Sequence, residues 1–185
     1  MNLPNKLTIL RTILIIPFVI IMLTGCLGAF SNWVALAIFV IASITDLLDG
    51  KIARKYNLVT NFGKFMDPLA DKLLVCAALI CLMEIKMIPA WAVIIIMSRE
   101  FIISGFRLVA SDNGVVIAAS MWGKSKTVSQ MVMTIMMLAN LSIVIGGVDV
   151  YHILVVISMY VAVILTVVSL LDYVIKNKDV MKDTK

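Results

Sequence analysis

The sequence predicts an all-α, polytopic membrane protein with six transmembrane helices and a short N-terminal interfacial helix. Three observations carry that expectation. The 185 residues are 62% hydrophobic and 15% charged, with a mean hydropathy of +1.09, whereas a soluble domain is roughly half apolar and about a quarter charged. Six apolar stretches, at 8–27, 32–52, 66–86, 88–110, 127–147 and 150–175, are each long enough to cross a bilayer, for which about 20 residues suffice. Backbone amides in lipid must pair within their own segment, so such spans are helices. No repeat, linker or low-complexity tract divides the chain, and residues 1–185 read as one membrane domain.

Residues 2–10 mix polar and apolar side chains, with Pro4 near their start. They read as a surface-lying helix that turns into span one. The weakly basic start and the apolar 13–23 run have the outline of a signal peptide. Five further spans follow, so the segment reads as a retained first helix. Pro17 predicts a kink within it. The connections then alternate. Those at 25–31, 84–89 and 146–149 are short and nearly uncharged, while those at 54–63 and 111–126 are longer and charged.

Charge placement orients the chain. On a six-span reading, Lys6, Arg11, Lys51, Arg54, Lys55, Lys64, Lys72, Arg99, Arg107, Lys124, Lys126 and the tail lysines 176, 178, 182 and 185 fall on one side, and Lys86 alone on the other. Such asymmetry marks the cytoplasmic face. It predicts a multi-pass protein of the cell membrane with both termini inside. The net charge of +5 suits anionic lipids and substrates; no nucleic-acid partner is expected. Cys26, Cys76 and Cys81 form no C-x-x-C pair and read as packing residues. The 13 methionines read as flexible core filling. Trp33, Trp91 and Trp122 lie near span ends, as interface anchors do. His152 stands without a sequence partner.

Residues 46–71 carry the chemistry. Asp46 and Asp49 are three apart near the inner end of span two and share a helix face, with Gly50 and Ala53 on the same stripe. Gly63, Asp67 and Asp71 recur every four residues at the start of span three. A tight loop between antiparallel helices brings the two stripes together around one small volume. Taken singly, Asp49-Gly50 is an ordinary turn, Asp67-Pro68 an ordinary helix cap, and Asp71-Lys72 a solvated helix end. Whether the third helix starts before Gly63 or at Pro68 is open at this point. Four carboxylates at close range cannot all stay ionised without cations. The ligands are all oxygen, which suits Mg²⁺ or Mn²⁺. Two such ions about 3.5–4 Å apart clamp a phosphoryl centre, and one carboxylate can serve as general base.

The run D-x-x-D-G-x-x-A-R-x8-G-x-x-x-D-x-x-x-D, on Asp46, Asp49, Gly50, Ala53, Arg54, Gly63, Asp67 and Asp71, resembles the signature of the CDP-alcohol phosphotransferase family at every position. The resemblance implies a six-helix fold, a homodimer and an inward-facing polar cavity. It implies that Asp46, Asp49 and Asp67 ligate metal, and that Asp71 both lies at the metals and acts as the base. It implies a CDP-diacylglycerol site on Asn5, Thr8, Asp49, Gly50, Ala53, Arg54, Thr60, Gly63 and Lys64. Three further segments are similar to bacterial family members that use glycerol 3-phosphate: residues 2–11, Arg99-Glu100 with Ser104, Gly105 and Arg107, and Gly123-Lys124-x-Lys126-Thr127-x-x-Gln130. The implied reaction joins CDP-diacylglycerol to sn-glycerol 3-phosphate and gives phosphatidylglycerol phosphate and CMP.

A dianionic acceptor needs cations. Glu100, Ser104 and Arg107 share a stripe, with Glu100 placed to orient Arg107, and Lys124 and Lys126 open span five. The acceptor phosphate is therefore expected on Arg99, Arg107, Lys124 and Lys126, with Arg giving bidentate contact and Lys a point charge. The competing reading is positive-inside anchoring by snorkelling side chains. Two other functions stay in view. One is the same family with inositol phosphate, phosphatidylglycerol or serine as acceptor. The other is a divalent-cation transporter, which needs acidic residues along a path across the membrane. Only Glu84 and Asp149 lie towards the outside, at span ends.

Overall fold

A computed structural model describes residues 2–55, 60–112, 117 and 120–178, with backbone alone at 3–4, 47–55, 61–62, 64–65, 68 and 112. The described chain is almost entirely helical: α1 (Leu3–Thr24), a 3₁₀ turn (Gly28–Phe30), α2 (Ser31–Lys55), α3 (Asn61–Glu84), α4 (Ala90–Asp112), α5 (Met121–Ala139) and α6 (Val150–Asn177). A two-stranded hairpin, β1 (Val144–Ile145) and β2 (Val148–Asp149), precedes α6. By packing, the chain forms two compact units: Met1–Met87 with Met137–Asn140, and Ile88–Met136 with Leu141–Lys185.

In the first unit α1 packs against both α2 and α3. Its inward stripe runs Asn5, Thr8, Arg11, Phe18, Met22, all buried, polar at one end and apolar at the other. The buried positions of the two partner helices are mostly small: Ala35 and Ala42 beside Phe39 on α2, and Ala70 and Ala78 beside Leu74 on α3. Lipid gives apolar helices no hydrophobic reason to associate, so close approach over small side chains supplies the contact. Phe18 and Phe39 meet with ring centroids 6.4 Å apart. The expected surface helix before span one is not a separate element, since α1 is continuous from Leu3 through Pro17. Of its polar residues, Thr8 and Arg11 face α3 and α2 and Asn5 meets the cap of α3, while Lys6 is exposed. Gly25 ends α1 in the left-handed region (φ 59°), and its amide reaches the Ile21 carbonyl, a conformation a side chain would strain.

In the second unit α4 packs against α6. The buried stripe of α6 is Val155, Met159, Ala162, Val163, Thr166, Ser169 and Tyr173. The Asp149 carboxylate caps α6 by accepting the His152 amide at 3.1 Å, which holds its carboxyl below the usual range. The apolar run expected as span five, 127–147, is shorter than predicted. Helix α5 starts at Met121 and stops at Ala139, and Ile145 then pairs with Val148 across Gly146 and Gly147 (φ 61° and 82°). Two successive positive φ values are what a tight hairpin turn needs.

The outer faces are apolar. Ile13, Ile16, Ile20, Ile41, Ile44, Ile94, Phe101, Val128, Ile157, Ile164 and Leu171 are all exposed. Stripes of this kind on successive helices are those of a membrane protein. Among the described residues, 5–24 in α1, the 28–46 stretch and α6 are apolar enough to span by length and composition. Helices α3, α4 and α5 carry Asp67, Asp71 and Lys72, Arg99, Glu100 and Arg107, and Lys124 and Lys126 respectively, and fall below that measure.

Candidate active site

In the first unit, α1 supplies hydrogen-bonding groups to the ends of α2 and α3. Thr8 Oγ1 donates to Asp67 Oδ1 at 2.6 Å. Arg11 Nη1 donates to Asp46 Oδ1 at 2.5 Å, with the Arg11 side chain fully buried and that of Asp46 32% exposed. Thr60 Oγ1 donates to Asn5 Oδ1 at 3.0 Å and accepts the Gly63 amide at 3.0 Å. That last contact is the N-cap of α3. It settles where the third helix starts: Asn61 is its first residue, and Asp67 lies inside the helix rather than at its cap.

Burial along α3 is graded. Gly63 is buried, Asp67 half-buried and Asp71 exposed. Each four-residue step overshoots a helical turn by about 40°, so the stripe that begins against α1 rotates outward. A Cβ built on Gly63 would lie 3.1 Å from Asn5 Oδ1, 3.3 Å from Thr60 Oγ1 and 3.5 Å from Asp67 Oδ2. The bare glycine thus forms a cradle lined by three oxygens. Gly63→Ala is expected to crowd it and lower kcat/KM by roughly tenfold, more than it lowers thermal stability; steady-state kinetics and a melt compare the two.

Asp49, Gly50, Ala53 and Arg54 lie on the described α2 backbone and Lys64 on that of α3, but their side chains lie outside the described residues. Among the described residues no three carboxylate, His or Cys side chains converge. Asp46 and Asp67, however, each have Oδ1 held from α1, and Oδ2 of Asp67 borders the glycine cradle. Hard oxygen donors of this kind fit a divalent cation.

The second unit holds a separate polar cluster. Arg99 Nη1 donates to Glu100 Oε1 at 3.1 Å and Arg99 Nη2 to Ser169 Oγ at 2.7 Å. Lys126, buried, also pairs with Glu100 Oε1. Gly123 lets α5 approach: a Cβ there would lie 3.4 Å from Arg99 Nη2. Arg99 and Lys126 are thus brought together, while Arg107 and Lys124 are exposed. Glu100 pairs with Arg99 and Lys126, not with Arg107 as the stripe suggested. The two buried cations need a carboxylate, and the exposed one does not.

Sequence reasoning missed Arg11 and Ser169 as site residues. Arg11 had a signal, because it continues the three-residue spacing of Asn5 and Thr8 in an apolar span. Ser169 had none beyond being a hydroxyl in an apolar helix.

Known proteins resemble this chain along most of its length. A relative from Bacillus subtilis, named CDP-diacylglycerol--glycerol-3-phosphate 3-phosphatidyltransferase, is 47% identical over 98% of this chain and 97% of its own length. One of the same name from Haemophilus influenzae is 40% identical over 93% of this chain and 91% of its own. A probable phosphatidylglycerophosphate synthase from Mycobacterium tuberculosis is 39% identical over 94% and 80%. The family is divalent-metal dependent in general. The family model for CDP-alcohol phosphatidyltransferase matches residues 1–168, and with the aspartate spacing intact within that match, the chain belongs to the CDP-alcohol phosphatidyltransferase family.

Proposed function

We propose that this protein transfers the phosphatidyl group of CDP-diacylglycerol to sn-glycerol 3-phosphate, giving phosphatidylglycerol phosphate and CMP. The observation that carries this reading is the nearly end-to-end similarity to relatives bearing that activity in their names.

Asp46, Asp49, Asp67 and Asp71 would hold two divalent cations, Mg²⁺ or Mn²⁺, whose chemistry when bound is to offset charge on the diphosphate. Asp71 takes the proton from the 1-hydroxyl of the acceptor, and its exposure suits a group that meets a soluble substrate. The freed oxygen attacks the lipid-side phosphorus, a new P–O bond forms, and the bond to the CMP oxygen breaks in line. Asn5, Thr8, Asp49, Gly50, Ala53, Arg54, Thr60, Gly63 and Lys64 are assigned to CDP-diacylglycerol, with small residues admitting the nucleotide. Arg99, Arg107, Lys124 and Lys126 are assigned to the acceptor phosphate. Of these, Arg107 and Lys124 are the exposed pair, and Arg107→Ala is expected to raise the KM for glycerol 3-phosphate roughly tenfold with kcat little changed. An unchanged KM would return Arg107 to anchoring.

All six helices are read as spans of a single membrane domain, with both termini and the aspartates cytoplasmic and the acyl chains in the bilayer. Supporting this, α3, α4 and α5 expose Ile80, Ile94, Phe101, Val128 and Val132. With 19 residues or more, each reaches about 28 Å, close to the hydrocarbon thickness. A homodimer is part of the reading by family membership.

The test is CMP release by purified protein in detergent, with CDP-diacylglycerol, Mg²⁺ or Mn²⁺, and glycerol 3-phosphate, inositol phosphate, phosphatidylglycerol or serine in parallel. Metal-dependent release with glycerol 3-phosphate alone supports the proposal. Release with another acceptor discards the acceptor assignment, and no release from folded, metal-loaded protein reopens cation transport.

A further inference from the structure

The carboxylates at the ends of α2 and α3 are not set by their own helices alone. Two of them receive a donor from α1 in the same manner, Arg11 on Asp46 Oδ1 and Thr8 on Asp67 Oδ1, at 2.5 and 2.6 Å. Both donors are buried, at 1% and 0% exposure, while Asp46 and Asp67 remain partly open. The donors therefore reach the carboxylates from the protein side. A carboxylate has two oxygens, and fixing one from behind fixes the direction of the other.

From this we infer that Arg11 and Thr8 are positioning residues of the metal site: α1 holds Oδ1 of Asp46 and of Asp67 and so orients two carboxylates whose second oxygen would be left for a cation. Arg11 has a second effect. It places a permanent positive charge beside Asp46 and so ties α1 to α2 before any cation arrives. Being fully enclosed by protein, its guanidinium stays on Oδ1 when a cation approaches from the open side. It is thus an orienting partner rather than a competitor. Asn5 extends the arrangement by fixing Thr60, the cap of α3, and with it the axial position of Asp67. The inference rests on the proposed metal-dependent function but assigns Arg11 and Thr8 a role through Asp46 and Asp67 rather than through contact with a cation.

The experiment is Mn²⁺ binding to full-length protein in detergent without substrate, followed by electron paramagnetic resonance and by the rise in melting temperature on adding Mn²⁺. Thr8→Val removes one donor with little change of shape and leaves no buried charge behind, so it keeps the test valid if an Arg11 variant fails to fold. Thr8→Val and Arg11→Met are each expected to weaken Mn²⁺ binding roughly tenfold or more, the usual effect of losing an orienting partner. Arg11→Lys is expected to recover part of the loss. Affinity unchanged in Thr8→Val, or tightened in folded Arg11→Met, would overturn the inference while leaving the metal site in place. Wild-type protein that binds no Mn²⁺ and releases no CMP would sink the underlying function instead, and this inference with it.

Discussion

Asp71→Asn is expected to lower metal-dependent CMP release by roughly 10²–10⁴-fold while CDP-diacylglycerol still binds. Asparagine keeps the size of the side chain at this exposed position but has no oxygen basic enough to take a proton from a hydroxyl. Initial rates with both substrates, beside equilibrium binding of CDP-diacylglycerol alone, separate the two effects. The limb of the pH–rate profile that reports the base should vanish along with the rate. Loss of turnover and binding together would withdraw Asp71 as base, because a carboxylate needed only to hold cation and nucleotide would give that result. The neighbours on α3 sharpen the comparison. Asp67 is half-buried and held by Thr8, so its loss should fall on binding as well as on rate.

The second large effect lies in the other unit. Glu100→Ala is expected to destabilise the protein by about 3 kcal/mol, the lower end of the cost of removing one partner from a buried ion pair. The lower end applies because the Glu100 side chain is 22% exposed, whereas those of Lys126 and Arg99 are 2% and 10% exposed. Without Glu100 two cations lose the carboxylate between them. A melt in detergent reads the loss, and Glu100→Asp should recover part of it. A melting temperature equal to wild type would show that Lys126 and Arg99 do not depend on Glu100.

That cluster also shows why parts of the site could not be read in advance. The aspartate positions were legible because their spacing is local: Asp46 with Asp49, and Gly63 with Asp67 and Asp71, need only the helical repeat. The choice of ion partners is not local. Arg11 meets Asp46 across 35 positions and Lys126 meets Glu100 across 26, distances at which the sequence carries no periodicity. Glu100 and Arg107 looked paired because they share a stripe, but the stripe does not say which of them is buried. The hairpin is a different kind of miss. Gly146-Gly147 between β-branched residues is a turn signal present in the sequence. It lay inside an apolar run whose length suggested a span, and the length was given more weight. Thr60 as the cap of α3 was equally readable, three residues before the Gly63 amide that it accepts.

By itself the sequence determined the membrane class, the helical elements and the family chemistry. Apolar content, helical spacing and a dense short motif survive any arrangement of the helices. Tertiary structure alone decided which oxygen of Asp46 and of Asp67 faces a donor, that Glu100 pairs with Arg99 and Lys126, and that α1 reaches those two carboxylates through Thr8 and Arg11. Those outcomes depend on the rotation and axial offset of each helix against its neighbours. In the first unit, buried small residues, Ala35 and Ala42 on α2 and Ala70 and Ala78 on α3, permit the close helix approach on which both depend.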